Sequence, residues 1–426
     1  MSKFQIILLS VFGVFILIAV LLFSVSRGSS SSSATVVVWG DISAYDFNAL
    51  LSNIPQNKDL TIQYVEKSAD TFDSEFTEAL AVGQGPDVVI LPLSKLWKNK
   101  NKLLPFPAAS VSPQDFVGTF VEEGKLFMTA DGTYALPLFV DPLVLYWNRD
   151  LFSSAALTAP PAFWDEIYSF ADKLIVRDNA GNIQKSVIAL GEAKNIPNAK
   201  DILSLLMLQA GTPITDYQGL ELKSMLNEGF NLPLVPAQAA LDFYTQFSNP
   251  AKPFYTWNRS MLDASTAFTS GDVAMYVGYA SELPLLRAKN PTLNLGITAL
   301  PQSRVSGNKI TYGALEGVAV VKNTLNQKAA FDASLFLVSK DISLALSKIT
   351  GLPPARLDLL ADKPTDLAQS VFYDAAIQSK GWLDPDVDKT KSIFVNMIES
   401  VTSGRARIAE AVSGADGEMD ALIKSN

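Results

Sequence analysis

The chain contains no cysteine and no histidine. These two absences exclude more than any single motif establishes. Without cysteine there are no disulfides, no thiolate metal site, no thiol nucleophile and no cysteine-borne lipid anchor. Without histidine a Ser-His-Asp triad is impossible, and so is acid–base catalysis through imidazole. Ser-Lys chemistry stays formally open. Its one Ser-x-x-Lys pattern, Ser306–Lys309, lies in a polar stretch that gives a lysine no desolvating shelter. Long basic runs are missing too, and the formal net charge is −9, which argues against a nucleic-acid surface. Asp384, Asp386 and Asp388 alternate like calcium-loop ligands, but Lys389 and Val395 stand where that loop needs glycine and glutamate. An acidic loop with an aspartate at a helix N-terminus is the expectation there.

What is present is apolar bulk. The 426 residues are 48% hydrophobic and 10% aromatic, enough for two or three domains with a large core. Lys3 precedes an apolar run, Ile6–Phe23, about long enough to span a bilayer at roughly 20 residues per span. An uncleaved N-terminal anchor is the expected reading. Cleavage after the small residues Ser24-Val25-Ser26 is the alternative, and either way the remainder is exported. Gly28–Ser33 reads as a flexible tether.

From Thr35 onward strands and helices alternate. Thr35–Trp39, Leu60–Val65 and Asp87–Leu91 read as strands, with helices over Asp46–Leu51 and Asp70–Val82 between them. Such alternation predicts parallel β-α-β units in a doubly wound sheet, with ligand beyond the carboxyl ends of the strands. Those ends are Trp39-Gly40-Asp41 and Leu91–Ser94. Ser112-Pro113 predicts a capped helix running to about Glu123. In Tyr134–Asp150, two apolar runs meet at Asp141-Pro142. Proline lacks an amide hydrogen, so an unbroken central strand through it is not expected. Asp141 is then either a carboxylate facing a gap between lobes or a solvated charge on an edge strand. Farther on, Asp201–Gln209, Ala237–Phe247 and Gln327–Val338 read as helices, and Val273–Val277, Leu295–Leu300 and Glu316–Val321 as strands. Beyond Asp341 the chain reads as mostly helical.

The order of several short segments resembles family 1 extracellular solute-binding proteins, the carbohydrate-type receptors of ABC importers. The segments are Gly85-Pro-Asp-Val-Val89, Tyr134-Ala-Leu-Pro-Leu138, Leu145-Tyr-Trp-Asn-Arg-Asp-Leu-Phe152, Pro161-Ala-Phe-Trp-Asp-Glu166, Phe268–Met275 and Leu352-Pro-Pro-Ala-Arg356. The resemblance covers nearly all of the chain from Thr35. It implies an α/β, two-lobed periplasmic-binding-protein type II fold, with doubly wound sheets, a hinge and an interlobe cleft. By analogy, residues 1–34 form the anchor or signal segment with its tether. Residues 35–140 with 296–339 form one lobe, and 141–295 with 340–426 the other.

The same resemblance implies a non-enzymatic receptor that binds a sugar or oligosaccharide and docks on ABC permease subunits. It would lie outside the cytoplasm, monomeric and without a cofactor or a metal. The membrane tether is read from the run Ile6–Phe23, where the sequence departs from secreted and lipid-anchored relatives, and the lack of a nucleic-acid partner from the charge. Sugars are held by aromatic faces and by charged or amide groups. Asp141 matches a family position that carries a cleft carboxylate. Tyr279 falls near one that often supplies a stacking ring. Trp39 and Asp41 lie in a loop that touches ligand in the family, although Trp39 is equally readable as core. Glu316 stands where the family usually has small residues. Trp257 is either a cleft wall or packing, and Trp382 either a rim stack or a helix cap. Two other readings stay open: an exported glycosidase using a carboxylate pair from Asp41, Asp141 and Glu316, and a sensor or scavenger without transport.

Overall fold

The structure is a computed structural model that describes residues 34–54, 60–304 and 307–425. The apolar run Ile6–Phe23, its tether and Ser306 lie outside the described residues. Among the described residues no helix is long and apolar enough to cross a membrane.

Strands β1 (Ala34–Gly40), β2 (Leu60–Glu66) and β3 (Val88–Pro92) lie parallel with β1 in the middle. Helices α1 (Ala44–Asn53) and α2 (Phe72–Ala81) make the crossover connections that parallel neighbours need. Ser43 caps α1 by accepting from the Asp46 amide. In α2, Phe72 and Phe76 sit four residues apart and bury one face. Gly83, at φ +71°, lets the chain leave α2 in the left-handed conformation.

The centre of the molecule is β4 (Leu136–Asn148), which continues unbroken through Pro142. The expected break is therefore absent. The reason lies in its partners. Leu136–Pro142 pair with β8 (Thr311–Val321), whereas Leu143–Trp147 pair with β6 (Val273–Tyr279). Strand β5 (Ile183–Ile188) lies parallel to β6, and β7 (Leu295–Thr298) pairs with the last residues of β4. Pro142 thus sits at the seam between two ladders, where a missing donor is tolerated. Along its main path, a two-residue edge strand at Val176–Arg177 aside, the sheet runs β2-β1-β3-β8-β4-β6-β5. The seam divides it into two twisted halves, each flanked by helices, so the molecule is two-lobed and α/β.

The helical layers follow from apolar stripes. Helix α3 (Ala199–Ala210) is almost wholly buried and ends on Gly211 at φ +100°. It packs on α4 (Pro236–Thr245). Helix α5 (Gln327–Leu337) covers β1 and β8, and α6 (Lys340–Thr350) packs on α1. Helix α7 (Leu367–Ile377) lies along β4. Helices α8 (Val387–Thr402) and α9 (Ile408–Ser425) pack on each other and on α4. The helix at Pro113 ends at Thr119, short of the expected Glu123. Phe120 turns extended and bridges Arg356, and Glu123 falls in a following turn of 3-10 helix.

Candidate functional site

The seam in β4 faces a cavity of about 370 Å³. Residues from both sides of the seam line it: Asp41 beyond β1, Phe139 and Asp141 on β4, Ala314 and Glu316 on β8, and Ser281 after β6. Strand register explains the grouping. Ala314 lies opposite Asp141 and Glu316 opposite Phe139, so period-2 alternation points all four to one face. Burial along β8 alternates accordingly: Tyr312, Ala314 and Glu316 are partly open, while Gly313 and Leu315 are buried.

Four carboxyls thus share one cavity, Asp46 in the first turn of α1 being the fourth. Burial pushes the Asp141 carboxyl up to about 6, and the Glu282 charge adds to the rise. The Ser281 backbone N–H donates to Asp141 Oδ1 at 3.0 Å and opposes it. Ser281 is held in place by its neighbour. The Glu282 carboxylate accepts from the Tyr276 hydroxyl, the Tyr279 amide and Asn198, which pins the turn after β6. Burial also holds the Glu316 carboxyl well above the ordinary range, with the Asp41 charge adding to the effect and Lys95 opposing it. Glu316 Oε2 is buried without a hydrogen-bond partner. Asp41, at the exposed mouth, is raised by the surrounding protein, and Lys95 again opposes.

A second polar group adjoins this one. The Tyr279 side chain bonds to Asp201 at the start of α3 and feels the charge of Asp141. Tyr312, on the same face of β8 as Glu316, lies beside Asp201 and feels its charge. Tyr279 therefore belongs to this region, although not to the cavity wall.

The three tryptophans do not. Trp39 is 8% exposed and carries Lys67 Nζ over its ring at 4.1 Å. Trp257 is 0% exposed and donates to Asn195 Oδ1 at 3.0 Å, so it is packing and not a cleft wall. Trp382 is 2% exposed and stacks on Phe394, so it neither caps a helix nor rims the cleft. Behind it Lys200 pairs with Asp384 and donates to Thr390. Asp386 caps α8 by accepting from the Asp388 and Lys389 amides, as the acidic loop was expected to do. Among the described residues no group of acidic side chains is placed to hold a metal ion.

Sequence reasoning missed Tyr312, Asp201 and Ser281. Extending the alternation of Glu316 backward by two and four residues finds Tyr312. Nothing local marks Asp201 or Ser281, which arrive through the packing of α3 and the turn after β6.

The paired passage of β4 and β8 across the seam and a carboxyl-lined cavity facing it fit a two-lobed binding protein. The chain belongs to the bacterial extracellular solute-binding proteins, a family it matches over residues 45–370, and so lies outside the cytoplasm. A relative in Brucella abortus (strain 2308), named only as a binding protein, is 22% identical over 380 residues and covers 87% of each chain. Among solved structures, a cyclic α-maltosyl-1,6-maltose binding protein from Arthrobacter globiformis superposes with a TM-score of 0.77 at 17% identity. It covers 93% of this chain and 100% of that one. A cyclo/maltodextrin-binding protein complexed with maltotetraose gives 0.75 at 19% identity, over 94% and 99% of the two chains. These likenesses establish the periplasmic-binding-protein type II fold.

Proposed function

We propose that the chain is the solute receptor of an ABC importer and binds a sugar or oligosaccharide in the cleft at the β4 seam. Ligand bridges the lobes and favours the closed form by contacts that only that form completes. One observation carries the reading: Asp41, Asp141, Glu316 and Ser281, drawn from both halves of the sheet, line one cavity where the chain crosses between them. The sugar-binding names of the structural relatives support the ligand class. The lobes comprise residues 35–140 with 296–378, and 141–295 with 379–426. The packing of α6 on α1 moves the proposed last crossing from Lys340 to the Ser379–Lys380 pairing with β8. The run Ile6–Phe23 tethers the receptor, which raises its local concentration at the permease.

A thermal-shift screen over mono- and oligosaccharides, polyamines and peptides tests the ligand class. A sugar at about 100 times its Kd stabilises the closed protein by about 2.7 kcal/mol, a rise of a few degrees. Stabilisation by another class and by no sugar would sink the carbohydrate reading. Release of shortened product from a stabilising oligosaccharide would turn the receptor into a glycosidase.

A further inference from the structure

We propose that the ligand presents a protonated amine to Asp41, Asp141 and Glu316, so that the cleft selects amino sugars over neutral ones. The inference rests on the solute-receptor reading and narrows its substrate class.

Three observations carry it. Glu316 Oε2 is buried, unpartnered and on the wall of the cavity. A buried carboxylate without a partner is costly, and an ammonium with three donors removes that cost more fully than a hydroxyl. Second, the protein supplies little cationic compensation. Among the described residues, Lys95 is the basic side chain whose charge acts on Asp41 and Glu316. Its Nζ is already committed, donating to the Ala69 carbonyl at 2.9 Å and lying 4.0 Å from Asp73. Asp141 is opposed only by N–H and hydroxyl donors of Ala280 and Ser281, while Glu282 adds negative charge. Third, the cavity is poor in stacking surface. Its aromatic lining is Phe139, itself buried, and Trp39, Trp257 and Trp382 are packed elsewhere. Charge, flanked by the aliphatic Ile42, Ile349 and Leu352, is what this wall offers a ligand.

The charge balance sets the pH dependence. Facing the cavity or acting on it are Asp41, Asp46, Asp141, Glu316, Glu282 and Lys95, and the Tyr64 hydroxyl, which stays protonated and donates to Ile42. Raised carboxyls hold protons that an arriving ammonium displaces. Binding of an amine therefore releases protons. Its affinity falls by up to about tenfold per pH unit for each carboxyl that regains its proton, Asp141 doing so below about pH 6. Binding of a neutral sugar lacks this dependence.

Isothermal titration of the full-length protein in detergent tests the assignment, with glucosamine disaccharide, its N-acetylated form, maltose and putrescine as probes. The expected result is at least tenfold tighter binding of the free-amine disaccharide than of the N-acetylated form, with proton release in buffers of different ionisation enthalpy. Glu316→Gln and Asp141→Asn should each reduce that preference at least tenfold while retaining a cooperative melt. Equal or tighter binding of the N-acetylated disaccharide or of maltose overturns the amine and leaves the sugar receptor standing. Tight binding of putrescine with no sugar bound keeps the ammonium site and overturns the sugar. No binding by any probe to a protein that melts cooperatively overturns both.

Discussion

Glu123 shows how far a single side chain can depart from what its neighbours in sequence suggest. It is 2% exposed, and neither carboxyl oxygen has a hydrogen-bond partner among the described residues. The nearby Ser379 hydroxyl donates instead to the Ala376 carbonyl. Burial raises the Glu123 carboxyl to about 8, so the folded protein holds its proton where the unfolded chain, at 4.5, has lost it. The stability this neutral group permits is fully present below about pH 4.5 and is lost as pH rises through about 8. The loss is on the order of a few kcal/mol. Glu123→Gln should match the wild type near pH 4.5 and melt higher than it above pH 8, as followed by circular dichroism. Equal melting temperatures at pH 8.5 would contradict the assigned burial. Asp141 was legible in sequence because proline follows it between two apolar runs. Glu123 was not, because its burial depends on Phe120 ending a helix early and on strands far away in the chain.

At the scale of elements, β4 and β8 carry the design. Most strands and helices were readable from periodicity and caps, including α1, α2, α3 and the first three strands. Pro142 misled because a local rule about donors ignores which neighbour is present at each residue. The seam supplies the exception. Gly313 on β8 meets the same seam. A Cβ there would lie 2.6 Å from Glu123 Oε2, 2.8 Å from Ser379 Cβ and 2.9 Å from a Val140 methyl. Gly313→Ala should therefore destabilise the fold by about 1–3 kcal/mol, measured by urea unfolding. A loss below experimental error would show that the crossing strands have room to spare. The small residues of this segment serve packing behind the sheet, while the alternate positions Tyr312, Ala314 and Glu316 face the cleft.

For the whole molecule, the two-lobed plan was legible through the order of its short segments. The last crossing carries no local mark, since α6 and α7 look in sequence like any other amphipathic helices. Lobe closure predicts a smaller radius of gyration in small-angle scattering when a binding sugar is added. An unchanged radius at saturating ligand would mean that the cleft fills without closing. Closure has a further consequence. β4 and β8 cross between the lobes side by side, joined by the Gly313 and Ala314 pairing to Pro142 and Asp141. If the lobes close as proposed, this paired strap is where they would swing, as a door on a strap hinge, and Asp141 lies on the strap. A solute held at Asp141 would then sit at the pivot, and its far end, where longer ligands reach the opposite lobe, would have the most leverage on closure.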